Sequence, residues 1–193
     1  MRLSSALLLS VILIGVIWGL FVLIPKIRFL GQQEVELNIR LGGVGSLKIK
    51  PNNQVRQTAH KAWVELVTRK AGIPVDRDND VIEDVYNSWY ELFKEIRILA
   101  QDVPAQRLRD KDTKALVDIL VKTLNKGLRP HLTQWQAKYK RWYKMAVEKD
   151  KKSALTPQDI QKNYPDYDDL VTDMLKVNVL LVEYAEELRK LLA

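Results

Sequence analysis

From Leu3 to Ile24 the chain runs for 22 residues without a charged side chain, and only Ser4, Ser5, Ser10, Gly15 and Gly19 interrupt its apolar character. At roughly 1.5 Å per residue a helix of this length spans about 33 Å, which matches a hydrocarbon core of about 30 Å. A secretory signal has a shorter apolar region, about 7–15 residues, followed by a small-residue cleavage site. Here the run closes in Leu23-Ile24-Pro25-Lys26, so a retained single-pass anchor is expected. Lys26 and Arg28 follow the run and Arg2 precedes it. That balance of charge favours an N-terminus outside and a cytoplasmic C-terminal body.

Gly15 and Gly19 form a small-xxx-small pair within the span. In lipid no hydrophobic force drives helices together, so close backbone approach at such glycines can carry association. Glycine is also common in membrane helices, and chance accounts for the pair equally well. Ser10 is the one polar side chain in the central part of the run and is the candidate pore-lining residue of any assembly. Trp18 and Phe21 suit an interfacial position.

The rest of the chain has a different character. Across 193 residues, Lys and Arg total 31 against 24 Asp and Glu, a formal charge of +7. This modest surplus suits an anionic bilayer or an acidic partner and is thin support for nucleic-acid binding. There is no cysteine, which excludes disulfides, thiol nucleophiles and cysteine-ligated metals. His60 and His131 are the only histidines, so neither a metal nor any other cofactor is expected.

Residues 34–41 alternate polar and apolar, Gly42 to Ser46 supplies a flexible turn, and Leu47-Lys48-Ile49-Lys50 alternates again. Period two on both sides of a glycine-rich turn reads as a β-hairpin. A lone hairpin is marginal in water, so it must lie on the helical body or join hairpins of neighbouring subunits in a collar. Beyond Pro51 the periodicity is helical. Val55, Ala59, Ala62, Trp63, Leu66 and Val67 share one face, and so do Ile82, Val85, Trp89, Leu92, Phe93, Ile96 and Leu99. A third run begins near Asp112–Thr113 with Leu116, Ile119, Leu120, Thr123 and Leu124 inward, and Pro130 is expected to kink it or to start a new helix. Leu132, Trp135, Tyr139, Trp142 and Ala146 continue inward. Lys149 to Ser153 reads as a basic connector. Thr156-Pro157 caps a short helix, and a last helix after Pro165 carries a stripe from Leu170 to Leu191. The predicted architecture is mainly α: a transmembrane helix in residues 1–25, a membrane-proximal hairpin in 26–50, and a bundle of four to five helices in 51–193.

Few groupings could carry chemistry. Asp76 to Asp80 lacks the central glycine of a calcium loop and reads as loop and cap, while Asp166, Asp168, Asp169 and Asp173 sit near a helix start, where the macrodipole favours them. Lys126, Arg129, His131, Lys138, Lys140, Arg141 and Lys144 form a candidate basic face interleaved with Trp135, Tyr139, Trp142 and Tyr143. That face could meet RNA, lipid headgroups or a pore mouth, but core packing of the aromatics and solvation of the cations explain it as well. HEPN-type ribonucleases, which are also small helical bundles, place an arginine shortly before a histidine across a dimer seam. Arg56 precedes His60 with three residues between, and the residue four residues clear of His131 is Lys126. Lysine lacks the forked guanidinium that orients a phosphate, so no catalytic residue is assigned and no enzyme is expected.

This layout, together with Gly127-Leu128-Arg129-Pro130-His131-Leu132-Thr133-Gln134-Trp135-Gln136, resembles the small single-span membrane accessory proteins encoded in type VI-B CRISPR loci. The resemblance implies a HEPN-like bundle in a ring-shaped homo-oligomer of the bacterial inner membrane. Such a pore would depolarise the membrane in antiphage defence alongside an RNA-guided nuclease system. Direct RNA binding is not expected from it. Two other readings stay open: a membrane-tethered RNA-binding module or weak HEPN-like ribonuclease, and a membrane scaffold that recruits a cytosolic complex.

Overall fold

The computed structural model describes residues 33–150 and 155–193, together with Leu13, Gly15, Ile17, Trp18, Gly19 and Phe21. Those six N-terminal positions are helical. The chain divides into a unit of residues Met1–Gln33 and a unit of Glu34–Ala193. Most of the expected span, with Ser10, lies outside the described residues, and so does most of the basic connector. Among the described residues no helix is long and apolar enough to cross a membrane.

The larger unit is mainly helical with one small antiparallel sheet. Strands β1 (Val35–Ile39) and β2 (Gly45–Ile49) pair with Leu37 opposite Leu47 and Ile39 opposite Gly45. Alternation puts Leu37, Ile39 and Ile49 on one face, and all three are fully buried against the helices with Leu41. The hairpin thus covers the body of its own chain, and its apolar face has no need of a collar. The glycine turn is also less free than its composition suggests. Leu41–Gly43 forms a single 3-10 turn, with Gly42 at φ 69°. A Cβ on Gly42 would lie 3.0 Å from the carbonyl oxygen of Lys122, and φ of this sign disfavours any other L-residue.

Four long helical stretches enclose the core: α1 (Asn53–Val67), α2 (Ile82–Gln101), a run that opens with α3 (Lys111–Lys122) and closes with α4 (Ala137–Lys149), and α6 (Tyr167–Lys190). Asn52 and Asp110 accept the backbone N–H groups that start α1 and α3, which satisfies donors a helix start leaves orphaned. Thr156 and Asp159 form a reciprocal capping box on the short α5 (Pro157–Lys162). Two buried amides fix the loop between α1 and α2. Asn178 accepts from Val75 and donates to Ala71 and Ile73, and Gln161 accepts from Ile82 and donates to Asp80, all within 3.0 Å. In the same loop Asp76 accepts from the backbone of Asp78 and Asn79 and from the Asn79 side chain. These bonds hold its carboxyl below the usual range. The loop is thus bonded both internally and from outside, but α2, with Val81 at its N-cap position, has no side-chain cap.

Pro130 stands in the first turn of an α segment that starts at Arg129, as a proline at a helix start should, and the backbone stays right-handed helical on both sides of it. Unexpected is that this segment is a single α turn, Arg129–His131, and that the ladder widens into π turns at Thr123–Leu128 and Leu132–Gln136 around it. The N–H of Arg129 reaches back to Leu124. Proline has no N–H to give residue i−4, and the wider register re-partners its neighbours. The wider turns also shift the inward stripe. Leu132 and Trp142 are half-buried, and the buried positions are His131, Trp135, Tyr139 and Tyr143. An α-helix drifts by about 40° over a four-residue step; the π turn Leu132–Gln136 absorbs that drift between His131 and Trp135, while Tyr139 and Tyr143 follow at ordinary α-helical spacing.

The first π turn packs on the hairpin. A Cβ on Gly127 would come within 2.5 Å of Leu41 Cγ, and Leu41 is itself buried. Gly127→Ala should therefore destabilise the fold by about 1–3 kcal/mol through overpacking, measured by urea denaturation. In a Leu41→Ala background most of that cost should vanish, because the clashing side chain is gone. Equal costs in both backgrounds would show that the contact is not what Gly127 protects.

Candidate functional site

His131 is the centre of a buried polar cluster that joins three helical elements. The α turn between the two π segments aims its ring into the core, where it meets α2 on one side and α6 on the other. Nδ1–H donates to Asp173 Oδ2 at 2.7 Å, and the hydroxyl of Tyr86 lies 3.1 Å from Nε2. Trp135, one turn on, donates its indole N–H to the same Asp173 oxygen at 3.0 Å. Trp89 packs edge-on at 5.4 Å and Tyr86 is tilted at 5.7 Å, both between ring centroids.

Chemistry fixes the proton positions. A carboxylate can only accept, so Nδ1 carries the hydrogen; in the neutral ring Nε2 is then the acceptor and Tyr86 donates to it. Burial pushes the His131 pKa below its ordinary value, and the hydrogen bond and charge of Asp173 offset that in part. Burial likewise drives the Tyr86 phenol far upward, so it stays protonated. Asp173 remains partly exposed at the rim of the cluster. The triplet resembles a catalytic relay in its connectivity, but both His131 nitrogens are occupied and both aromatic neighbours are buried. The ring itself is 2% exposed, and of the triplet Asp173 is the member that reaches the surface.

The structure therefore removes His131 from the basic face on which the sequence placed it. Its neighbours do lie outside: Lys126, Arg129, Lys138, Arg141 and Lys144 are exposed, and Lys140 is half-buried with its ammonium on Asn87 Oδ1 at 2.9 Å. Arg129 stacks over Phe93 at 4.9 Å and donates to Asn125. On α4 the cations at 138, 141 and 144 face away from the buried Tyr139 and Tyr143, so the aromatics are core and the cations form the outer surface. Gly15 and Gly19 occupy helical positions, and a Cβ on either would meet nothing within 4 Å.

Sequence reasoning missed Tyr86 altogether and misread Asp173, which lies two turns into α6 and serves His131 rather than the helix start. A signal for Asp173 existed: it falls three residues after buried Leu170 and next to buried Met174, a register that carries a carboxylate towards the core. No protein-family model, curated protein or solved structure matches the chain.

A pH prediction follows from the buried neutral ring. With its folded pKa depressed below 6.5, His131 contributes stability that is complete above that pH. The contribution shrinks as pH falls, because the unfolded chain takes up the proton that the folded ring resists. The thermal midpoint of the full chain should drop more steeply below pH 6.5 than that of His131→Gln. Parallel slopes would contradict a neutral buried imidazole.

Proposed function

We propose that the chain is a membrane-anchored protein without catalytic activity that acts on the bilayer by self-association, with Leu3–Ile24 as its single span and the helical body on the cytoplasmic side. The observation that carries this reading is a row of apolar side chains in the N-terminal helical positions. Leu13, Ile17, Trp18 and Phe21 are 63%, 57%, 71% and 79% exposed. Exposed large apolar side chains in an uncharged helical segment call for a cover that water cannot supply. Lipid suits this need, and the open strip at Gly15 and Gly19 suits a second copy of the helix.

The resemblance to type VI-B accessory proteins extends the proposal to a ring-shaped pore that depolarises the inner membrane in antiphage defence. Two features support the extension: the shared layout of span, hairpin and bundle, and the enclosure of the only histidine near the Lys126–Arg129 stretch. A pore lined by this segment would offer little polarity beyond Ser10. It would hold itself closed by dewetting unless the ring were wide, and such a gate suits an effector that must stay silent until it is triggered.

The test is the particle mass of the full-length protein in mild detergent, by light scattering. The expected result is a closed assembly well above a dimer, and Gly15→Leu with Gly19→Leu should dissociate it. A monomer or dimer in the native chain would rule out the ring.

A further inference from the structure

Resting on the membrane-anchored reading, we propose that the seam between α2 and the stretch from Lys126 to Lys144 is a docking surface for anionic lipid headgroups, with Tyr90 as its interfacial aromatic. Two contacts define the seam. Lys140 reaches Asn87, and Arg129 stacks over Phe93, so α2 runs antiparallel to its partner stretch. Tyr90 lies between these contacts, one turn from each along α2, and is 60% exposed. One turn beyond Phe93, Arg97 is also exposed on this side.

Arg40, Arg69, Lys70, Arg77, Lys114, Arg189 and Lys190 each hold a carboxylate within the chain. Along the seam Lys94 alone is paired, with Glu91 at 3.3 Å. Among the described residues Arg97, Lys126, Arg129, Lys140 and Lys144 have no carboxylate in ion-pair reach, so these five cations stay available to an outside anion. Exposed cations without an ion pair also occur elsewhere, Lys61, Lys111 and Lys162 among them; what sets the seam apart is that several such cations are gathered around one exposed aromatic ring, Tyr90.

The geometry favours lipid over RNA. Single-stranded RNA takes its affinity from several stacking aromatics as well as from charge. Here Trp135, Tyr139 and Tyr143 are committed to the core, which leaves Tyr90 as the exposed ring of the seam. A bilayer surface asks only for clustered cations and an amphipathic aromatic at headgroup depth.

The experiment places full-length protein in vesicles of phosphatidylcholine alone and of phosphatidylcholine mixed with phosphatidylglycerol. A water-soluble amine reagent then reports the reactivity of each lysine by mass spectrometry. Lys126, Lys140 and Lys144 should be protected on the order of tenfold by phosphatidylglycerol, while exposed Lys61, Lys111 and Lys162 should not change. High salt should abolish the protection, and so should Arg129→Glu combined with Lys140→Glu, which alters only surface contacts. Equal reactivity of the seam lysines in both vesicles would overturn the proposal. Protection by single-stranded RNA in phosphatidylcholine vesicles, with none from phosphatidylglycerol, would overturn it in favour of a nucleic-acid surface. Release of the protein by alkaline carbonate would overturn the anchored reading itself, an outcome distinct from retention without protection.

Discussion

Three helical elements of the body meet at one buried imidazole. The Asp173–His131–Tyr86 chain of hydrogen bonds joins α6, the π-widened run and α2, and Trp135 adds a second donor to the same carboxylate. Each partner restricts the others: the carboxylate selects the Nδ1–H tautomer, and the tautomer makes Nε2 the acceptor that Tyr86 requires. A buried polar group left unpaired costs about 1–3 kcal/mol, so the cluster is favourable only when complete. Completion requires the ring at one depth and one angle, which the paired π turns set. Pro130, which breaks an ordinary ladder, stands inside the α turn that carries His131.

The same turns explain the hairpin. Widening the run at Thr123–Leu128 presents Gly127 to Leu41, and the absence of a Cβ there lets the 3-10 turn of the hairpin settle against the helix. Sheet and bundle thus share one hydrophobic core. The aromatics of the run are drawn inward with His131, which leaves its cations together on the outside with few carboxylates among them. One geometric adjustment accounts for the anchored hairpin, the buried ring and the cations on the outer surface.

Much of this architecture was legible in the sequence because simple periods carry it. The alternation through Leu37 and Ile39, the stripes of α1, α2 and α6, and the Thr156-Pro157 cap need only local rules, and the structure follows them. The phase of the run after Thr123 was not legible, since an α-helical period assigned Leu132 and Trp142 to the core in place of His131 and Tyr143. A π turn inserts one residue without any local mark beyond Gly127 and Pro130. That shift misplaced His131 on the basic face and hid its partners, because Tyr86 and Asp173 are 45 and 42 residues away in the chain. Long-range polar contacts of this kind depend on tertiary packing, which no spacing rule encodes.

The central claim is that His131 is a neutral structural tie rather than a reactive group. Nitrogen-15 NMR of the ring in a His60→Gln chain, where His131 is the sole histidine, tests it most directly. The account predicts the neutral Nδ1–H tautomer at neutral pH, with protonation delayed to a pH below that of an ordinary histidine. An imidazolium at neutral pH, or an Nε2–H ring, would contradict it.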